Sequence, residues 1–356
     1  MAVEFDDSIF ENPQSKKEPL STEEITRHLA EKAGNVSGKK SLFVVKTANQ
    51  WIEEAKSRPI PNMLFSEFWH QGELCILFAD TNVGKSILAV QIGNSIASGV
   101  PVDGFKMEAG RQKVLYMDFE LSDKQFEGRC SNRYKDHYRL DDNLFRVEID
   151  ADSEISADKW DQHIMESFEI EIVKHGPKVL IVDNITYLKT RTEKAVDALP
   201  LMKHLKALKA KHNLSILALA HTPKRDHSKP IGRNDLSGSK MLINFCDSAF
   251  AIGESQQESG VRYLKQIKAR NTEVVYDSEN VILCEVVKPS NFLMFRFMMQ
   301  GDERSHLKTP SPNEKEELIF KVKELLEEGK SQRAIAEELE IGLGTVNKYK
   351  KLSGYR

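Results

Sequence analysis

Cysteine is scarce in this sequence. The 356 residues contain four cysteines, Cys75, Cys130, Cys246 and Cys284, and no Cys-x-x-Cys pair. Such wide spacing argues against a zinc site and against a disulfide framework. We therefore expect the four thiols to be buried as small apolar side chains.

Long apolar runs are also missing. No uninterrupted apolar stretch is long enough to cross a membrane. The start, Met1 to Asp7, is acidic, which does not fit a secretory signal. With 40% hydrophobic and 29% charged residues, the composition is that of a soluble globular protein. We expect a cytoplasmic protein with no membrane partner.

The sequence also lacks a strong excess of either charge. Its net charge is -3, so binding to nucleic acid would depend on local basic patches. The length allows one large α/β domain with one or two small additions. Changes in composition predict four segments: a polar, mobile arm (1–45), an α/β domain (46–300), a polar linker containing proline (301–314) and a small helical domain (315–356).

Short apolar strands alternate with helices in the large domain, which predicts a parallel sheet covered on both faces. The predicted strands are 74–79, 113–119, 144–149, 178–183 and 214–220. The predicted helices are 85–98, 123–138, 157–174 and 196–212. Consecutive strands then predict an antiparallel extension of the sheet, at 248–252, 261–267, 281–287 and 293–299.

The clearest motif has the spacing of a P-loop between a strand and a helix. Its residues are Ala79, Asp80, Thr81, Asn82, Val83, Gly84, Lys85 and Ser86. Backbone amides of such a loop bind phosphate, the lysine reaches the β and γ phosphates, and the serine hydroxyl helps to hold Mg²⁺. Ala79 replaces the usual glycine and needs a backbone without positive φ. The alternative is a chance match on a surface loop.

Two further strands end in carboxylates. The apolar run 179–182 is followed by Asp183, which would orient Mg²⁺ as a Walker B aspartate does. The run that begins at Val114 ends in Asp118 and Glu120. Hydrolysis needs an anionic base beside the P-loop, and Glu120 is the first choice, with Asp118 second. The alternatives are an ordinary Asp-Asn turn and two solvated carboxylates.

The order of these motifs resembles the RecA-fold superfamily, over residues 64–300. Within it, the chain resembles plasmid RepA-type hexameric helicases and DnaB-like replicative helicases, which plasmids and mobile elements often carry. The resemblance implies a RecA-like P-loop core, ATP and Mg²⁺ as cofactors, Glu120 as the catalytic glutamate and His221 as a sensor of the γ phosphate. A lone histidine at a strand end is otherwise more often structural.

The resemblance also implies a shared active site. The segment that contains Lys268 and Arg270 resembles the K-x-R element that this family projects into the neighbouring subunit. Arg270 would be an arginine finger and Lys268 its companion. The active form would then be a homo-oligomer, expected to be a hexamer. The alternative is a solvated basic strand edge.

A long basic loop follows His221 and resembles the family's central-channel loop for single-stranded DNA. Its candidate contacts are Lys224, Arg225, Lys229 and Arg233. A second such loop could be formed by Lys189, Arg191 and Lys194. Neither loop contains an aromatic residue for stacking, so binding would depend on phosphate contacts and on salt. A solvated flexible loop is the alternative.

The C-terminal segment 331–351 resembles a helix-turn-helix of the resolvase or regulator type. Ala334, Ile335, Leu339, Ile341 and Val346 are expected to pack its helices. The outward residues, expected to bind duplex DNA, are Asn347, Lys348, Lys350 and Lys351. A helical hairpin that docks on a protein is the alternative.

Two functions remain open from sequence. One is a DNA-dependent ATPase of a plasmid or mobile element, a ring-forming helicase or remodelling motor. The other is an ATP-switched DNA-binding or scaffold protein that assists replication or recombination proteins without separating strands. Both require ATP at Lys85, but only the first requires turnover to respond to single-stranded DNA.

Overall fold

The computed structural model describes residues 43–150, 152–153, 160–185, 198–223, 225–236, 239–309, 312–339 and 341–355. The chain divides into two compact units, Met1–Ile60 and Pro61–Arg356. In the first unit, helix α1 (Ala48–Lys56) begins with a capping box between Thr47 and Gln50. The mobile arm predicted for residues 1–45 lies almost wholly outside the described residues.

The described residues of the second unit form one large sheet and two short hairpins. Its strands are β1 (Met63–Phe65), β2 (Trp69–His70), β3 (Leu74–Ala79), β4 (Val114–Asp118), β5 (Ser131–Asn132), β6 (Asp136–His137), β7 (Leu144–Val147), β8 (Val179–Asp183), β9 (Ser215–His221), β10 (Ser248–Glu254), β11 (Val261–Lys268), β12 (Val281–Val287) and β13 (Met294–Gly301). Its helices are α2 (Lys85–Ser98), α3 (Asp123–Arg129), α4 (Trp160–His175), α5 (Ala198–His212), α6 (Ser239–Phe245), α7 (Pro312–Glu327), α8 (Gln332–Glu338) and α9 (Leu343–Leu352).

The large sheet has the strand order β13-β12-β11-β10-β3-β9-β8-β4-β7. The six strands from β10 to β7 in this order are parallel to one another. Strand β11 pairs with β10 in the antiparallel direction, and β12 and β13 continue the sheet in the same way. The predicted fold class is therefore confirmed: an α/β chain with a mainly parallel sheet and an antiparallel extension, as a RecA-like core requires.

Strand β10 corrects one detail of that prediction. The sequence pattern places it in the antiparallel extension, but β10 pairs in parallel with β3, with Ser248 opposite Cys75 and Ile252 opposite Ala79. Parallel strands need a crossover between them. Helix α6 lies in the connection from β9 to β10 and begins at Ser239, inside the stretch up to residue 240 for which the sequence predicts only a loop.

Helix α3 is shorter than the sequence predicts. It begins at a capping box formed by Ser122 and Gln125 but ends at Arg129 instead of continuing to residue 138. The following residues are poor helix formers, such as Ser, Asn and Tyr. They form the β5–β6 hairpin, whose turn places Arg133 and Tyr134 at φ of 51° and 59°. These left-handed conformations are incompatible with a continuing helix.

Apolar clusters cover both faces of the sheet. On one face, Leu88 and Ile92 of α2 share a buried cluster with Tyr116. On the other, Phe168 of α4 and Leu205 of α5 share a cluster with several strand residues. Because both faces are covered, ligands of such a sheet bind outside the carboxyl ends of its parallel strands. The carboxyl ends of β3, β4, β8 and β9 lie at this edge.

Part of the predicted linker is packed into the fold. Glu303 is fully buried and forms an ion pair of 2.5 Å with Lys265 of β11. Lys265 Nζ also donates to Ile231 O over 2.7 Å, and Glu303 accepts from Ile231 N over 2.7 Å. A buried ammonium needs such a partner, so the residues just after β13 belong to the sheet domain.

The three C-terminal helices pack around their own small core. Ile335, Val346 and Tyr349 are buried with residues of α7, and Leu339 and Ile341 contact this cluster. The expected inward position of Ala334 is wrong: the residue is exposed, and Ala336 takes part in the packing instead. The cause is the helical repeat: Ile335 and Ala336 lie four and three residues before Leu339 and share its face, whereas Ala334 lies outside this spacing.

Candidate active site

The loop between β3 and α2 has the backbone that phosphate binding requires. Asn82 and Gly84 adopt φ of 64° and 111°, whereas Ala79 is not among the described residues with positive φ. Alanine is therefore compatible with the first position of the motif. At Gly84 an added Cβ would lie 2.9 Å from the ring of Phe295, so both conformation and packing require glycine there.

Lys85 lies where the charged groups of the site converge. Its Nζ donates to Ala79 O and Asp80 O over 3.0 and 2.9 Å and lies 3.1 Å from His221 Nδ1. Burial lowers the pKa of Lys85, while the carboxylates of Asp183, Glu120 and Asp80 oppose that shift. The first residue of α2 thus places a cation at the helix N-terminus, where phosphate is favoured.

Asp183 presents an unsatisfied oxygen to the same space. Tyr116 Oη donates to Asp183 Oδ2 over 2.5 Å, but Oδ1 is buried without a hydrogen-bond partner among the described residues. Burial raises the pKa of Asp183 to about 6, although the nearby Ser86 hydroxyl and the hydrogen bond from Tyr116 oppose the rise. A free buried carboxylate oxygen beside a serine hydroxyl fits a Mg²⁺ ion, which would offset this cost of burial.

Glu120 lies across from Lys85 and Asp183. Its Oε1 accepts a hydrogen bond from the side-chain amide of Asn184 and lies 3.3 Å from His221 Nε2. The His221 hydrogen bond lowers the pKa of Glu120, partly against the effect of burial. An ionised carboxylate in this position can accept a proton from water.

His221 connects the cation to the base. An ammonium can only donate, so Nδ1 of His221 accepts from Lys85. The other ring nitrogen, Nε2, lies 2.9 Å from Asn184 Nδ2 and 3.3 Å from Glu120 Oε1. The strand-end histidine therefore contacts both the P-loop lysine and Glu120, which the resemblance implies as the catalytic glutamate.

Replacing His221 with alanine is expected to move the acidic limb of the pH profile of kcat toward higher pH. The hydrogen bond from His221 favours ionised Glu120, so its loss raises the pKa and leaves less base at mildly acidic pH. Initial rates measured across a pH series test this. His212→Ala, which removes a contact with Glu169, is the control. An unmoved limb, or one displaced downward, would contradict the assignment.

The structure separates the two candidate bases. Asp118 is fully buried, accepts from Arg146 Nε over 2.9 Å and also from the amides of Glu120 and Leu121. It therefore fixes the turn after β4. Glu120 lies beyond the end of β4, so the rule that alternate strand residues share a side does not apply to this pair. The fallback assignment to Asp118 loses its geometric support.

A model of the AAA domain family matches residues 43–227, which is more than half of the 356-residue chain. The chain belongs to the AAA domain family. Among solved structures, a KaiC-like protein of the hyperthermophilic archaeon Pyrococcus horikoshii OT3 is 14% identical, with a TM-score of 0.44; the match covers 64% of this chain and 91% of that one. A search of curated proteins found no match.

Family membership makes this chain a P-loop ATPase that binds a nucleotide, a class that usually works with Mg²⁺. Within the part of the chain that the structure describes, no group of three or more His, Cys, Asp or Glu could hold a metal by itself. This AAA domain would hold the ion with Ser86, Asp183 and the phosphates, since Mg²⁺ commonly binds through few protein ligands. No described helix is long and apolar enough to span a membrane.

The two K-x-R residues lie far from the P-loop of their own chain. Arg270 Nη1 pairs with Asp247 Oδ1 over 3.1 Å, and Asp247 also accepts from the amide of Leu74, at the start of β3. Ala79 ends β3 five residues later, about 17 Å away along the strand. Lys268 Nζ donates to Ile243 O and Cys246 O at the end of α6, which gives no support to its role as companion of the finger.

The basic loop is attached to the P-loop. The side chain of Arg225, which is predicted to contact DNA, is only 3% exposed. Its Nε pairs with Asp80 Oδ2 over 3.2 Å, and Thr222 Oγ1 donates to the same carboxylate. Lys229 and Arg233 are exposed. Lys224, together with the second loop that contains Lys189, Arg191 and Lys194, lies outside the described residues. Arg225 is thus turned from solvent toward the site.

On α9, the residues predicted to bind duplex DNA differ in exposure. Asn347, Lys348 and Lys351 are exposed, whereas Lys350 is partly buried, with Nζ 5.4 Å from the centre of the Tyr355 ring. Three of the four side chains can therefore reach a partner directly.

The sequence motifs do not indicate several residues that the structure places at the site. Tyr116 lies inside an apolar strand, and its contact with Asp183 crosses between strands. Phe295 reaches Gly84 from β13. Asn184 is the exception, because a polar residue directly after a Walker B aspartate is visible in the sequence and would reach the same edge.

Proposed function

We propose that this ATPase is stimulated by DNA, assembles into a ring of copies and moves along or remodels DNA, with a helicase as its simplest form. The observation that carries the proposal is the contact between Asp80 of the P-loop and Arg225 of the basic loop. A change at the phosphates that displaces Asp80 would also displace this loop, because Arg225 binds Asp80. Coupling of ATP to DNA needs such a physical connection.

The loop beyond Arg225 is suited to a phosphate backbone. Lys229 and Arg233 are exposed, and the Lys229 side chain is 60% accessible. Arg225 Nη1 also donates to Lys229 O over 3.3 Å. The same arginine therefore holds the P-loop carboxylate and the backbone of a residue that would track single-stranded DNA.

Assembly is supported by the place of Arg270. Its guanidinium is half exposed at the amino end of the strands, whereas the P-loop lies at their carboxyl end. An arginine finger in this position would serve another copy of the chain. The C-terminal helices, with Asn347, Lys348 and Lys351 outward, would hold duplex DNA beside the ring.

Single-stranded DNA is expected to raise the rate of phosphate release, and the effect should weaken as salt increases. The slope of log K for DNA binding against log salt concentration should become less steep by about 0.7 in Lys229→Ala. This is the contribution of one phosphate contact on a single strand. Arg304→Ala, an exposed arginine outside the loop, is the control. A rate of phosphate release that does not change with DNA would contradict the proposal of a DNA-stimulated motor. It would favour an ATP-switched scaffold or DNA-binding protein.

A further inference from the structure

A cleft of about 720 Å³ lies between the basic loop and the C-terminal helices. Four exposed lysines line it, each from a different part of the chain. They are Lys229 of the loop, Lys308 of the linker, Lys321 of α7 and Lys348 of α9. The described residues that line the cleft also include two carboxylates, Asp226 and Glu317. This excess of positive charge favours a polyanion as the ligand.

One of the two carboxylates is engaged within the loop. Asp226 Oδ1 accepts from Ser228 N and Ser228 Oγ over 2.9 and 2.7 Å, and Asp226 Oδ2 lies 3.2 Å from Lys229 Nζ. Asp226 therefore fixes the turn of the loop and offsets at most one of the four lysine charges. Because this ion pair is exposed to water, it contributes little energy, and a phosphate can bind beside Lys229.

Hydrogen bonds join the loop and the linker, which form one part of the cleft. Lys308 N donates to His227 O over 2.9 Å. Arg225 of the same loop pairs with Asp80 of the P-loop over 3.2 Å. Lys229 and Lys308 are thus carried by a single support, and this support is attached to the nucleotide site.

The C-terminal helices add apolar side chains to the cleft. Leu318, Leu339 and Ile341 line it and are only partly buried against the small helical core. Lys321 and Lys348 belong to the same helices. A duplex offers its phosphates and the edges of its bases in the grooves, whereas a single strand also presents the faces of its bases. Lysines next to apolar side chains therefore suit a single strand better than a duplex.

We propose that a single strand of DNA runs through this cleft, with its phosphates on Lys308 and Lys321 as well as on Lys229 and Lys348. The proposal rests on the proposed stimulation of this ATPase by DNA. Lys308 and Lys321 belong neither to the basic loop nor to the residues of α9 expected to hold duplex DNA. Lys348 would contact the same strand as the loop, and the duplex would be left to the other outward residues of α9.

Paired lysines on the same helix provide the test. Lys321 lines the cleft, whereas Lys323, also exposed on α7, is not among the described residues that line it. The full chain is titrated with an oligothymidylate at several salt concentrations, and binding is followed by fluorescence anisotropy. In Lys321→Ala, the slope of log K against log salt concentration should become less steep by about 0.7, the contribution of one phosphate contact. Lys323→Ala should leave the slope unchanged.

The same comparison can be made on α9 with a single-stranded and a duplex oligonucleotide. Lys348 lines the cleft, and Lys351 is exposed but is not among the described lining residues. Lys348→Ala should make the slope for the single strand less steep by about 0.7. Lys351→Ala should change duplex binding only.

Equal slopes for Lys321→Ala and Lys323→Ala would overturn the cleft as a binding site. A loss confined to duplex DNA in Lys348→Ala would overturn it as well, because α9 would then contact the duplex alone. If single-stranded DNA still stimulates phosphate release by the wild type, these results leave the proposed function standing. A wild-type chain that neither binds the oligothymidylate nor responds to it would overturn the proposed function together with this site.

Discussion

Replacing Arg270 with alanine is expected to slow ATP turnover by about 10³- to 10⁵-fold, the range by which arginine fingers accelerate phosphoryl transfer. We expect the loss of turnover to come from catalysis and not from unfolding, because the structure around Arg270 tolerates the change. Asp247, the partner of Arg270, keeps its hydrogen bonds from Lys209 Nζ over 2.7 Å and from Leu74 N over 2.9 Å. A half-exposed ion pair contributes less than about 1 kcal/mol to stability.

Arg296→Ala is the matched control for this change. Arg296 is 51% exposed and pairs with Glu285, just as Arg270 is 50% exposed and pairs with Asp247. It should keep turnover within about twofold, since an exposed pair has little energetic weight. A comparable loss in both variants would assign the effect to surface charge and not to position.

Because Arg270 lies far from the P-loop of its own chain, mixing two variants can test whether it acts in another copy. Arg270→Ala and Lys85→Ala should each be inactive alone, because one lacks the finger and the other the phosphate-binding lysine. Mixed together, they form interfaces in which an intact Arg270 faces an intact P-loop, so partial activity should return. Phosphate release by the mixture is the measurement. A mixture as inactive as its parts would contradict a shared site.

The elements that sequence predicts best are those specified by neighbouring residues. The P-loop between β3 and α2 requires an apolar strand, a glycine at φ of 111° and a helix start, and all three lie within residues 74–98. Asp183 is equally local, since it ends a buried strand. The α/β class follows from the same alternation of strands and helices.

Long-range contacts determine what the sequence could not predict. The contact of Arg225 with Asp80 joins residues 145 positions apart, and a basic residue in a polar loop gives no sign that it turns inward. The parallel direction of β10 depends on a crossover. The end of α3 at Arg129 depends on a hairpin turn.

Replacing Glu120 with glutamine is expected to lower kcat by about 10²- to 10⁴-fold, the usual contribution of general acid–base catalysis. Glutamine keeps the size of the side chain but cannot accept the proton of the attacking water. ATP binding should persist, because Lys85, Ser86 and the P-loop amides are unchanged. Asp118→Asn is less suited to this test, because Asp118 fixes the turn after β4 through Arg146.

The central claim is that ATP is bound by the P-loop and hydrolysed with Glu120 as the base. The most direct measurement is phosphate release at saturating ATP and Mg²⁺ by the wild-type chain and by Glu120→Gln, with ATP affinity determined for both. We expect hydrolysis by the wild type, its near loss in the variant and similar ATP affinities. Undiminished turnover in Glu120→Gln would contradict this account.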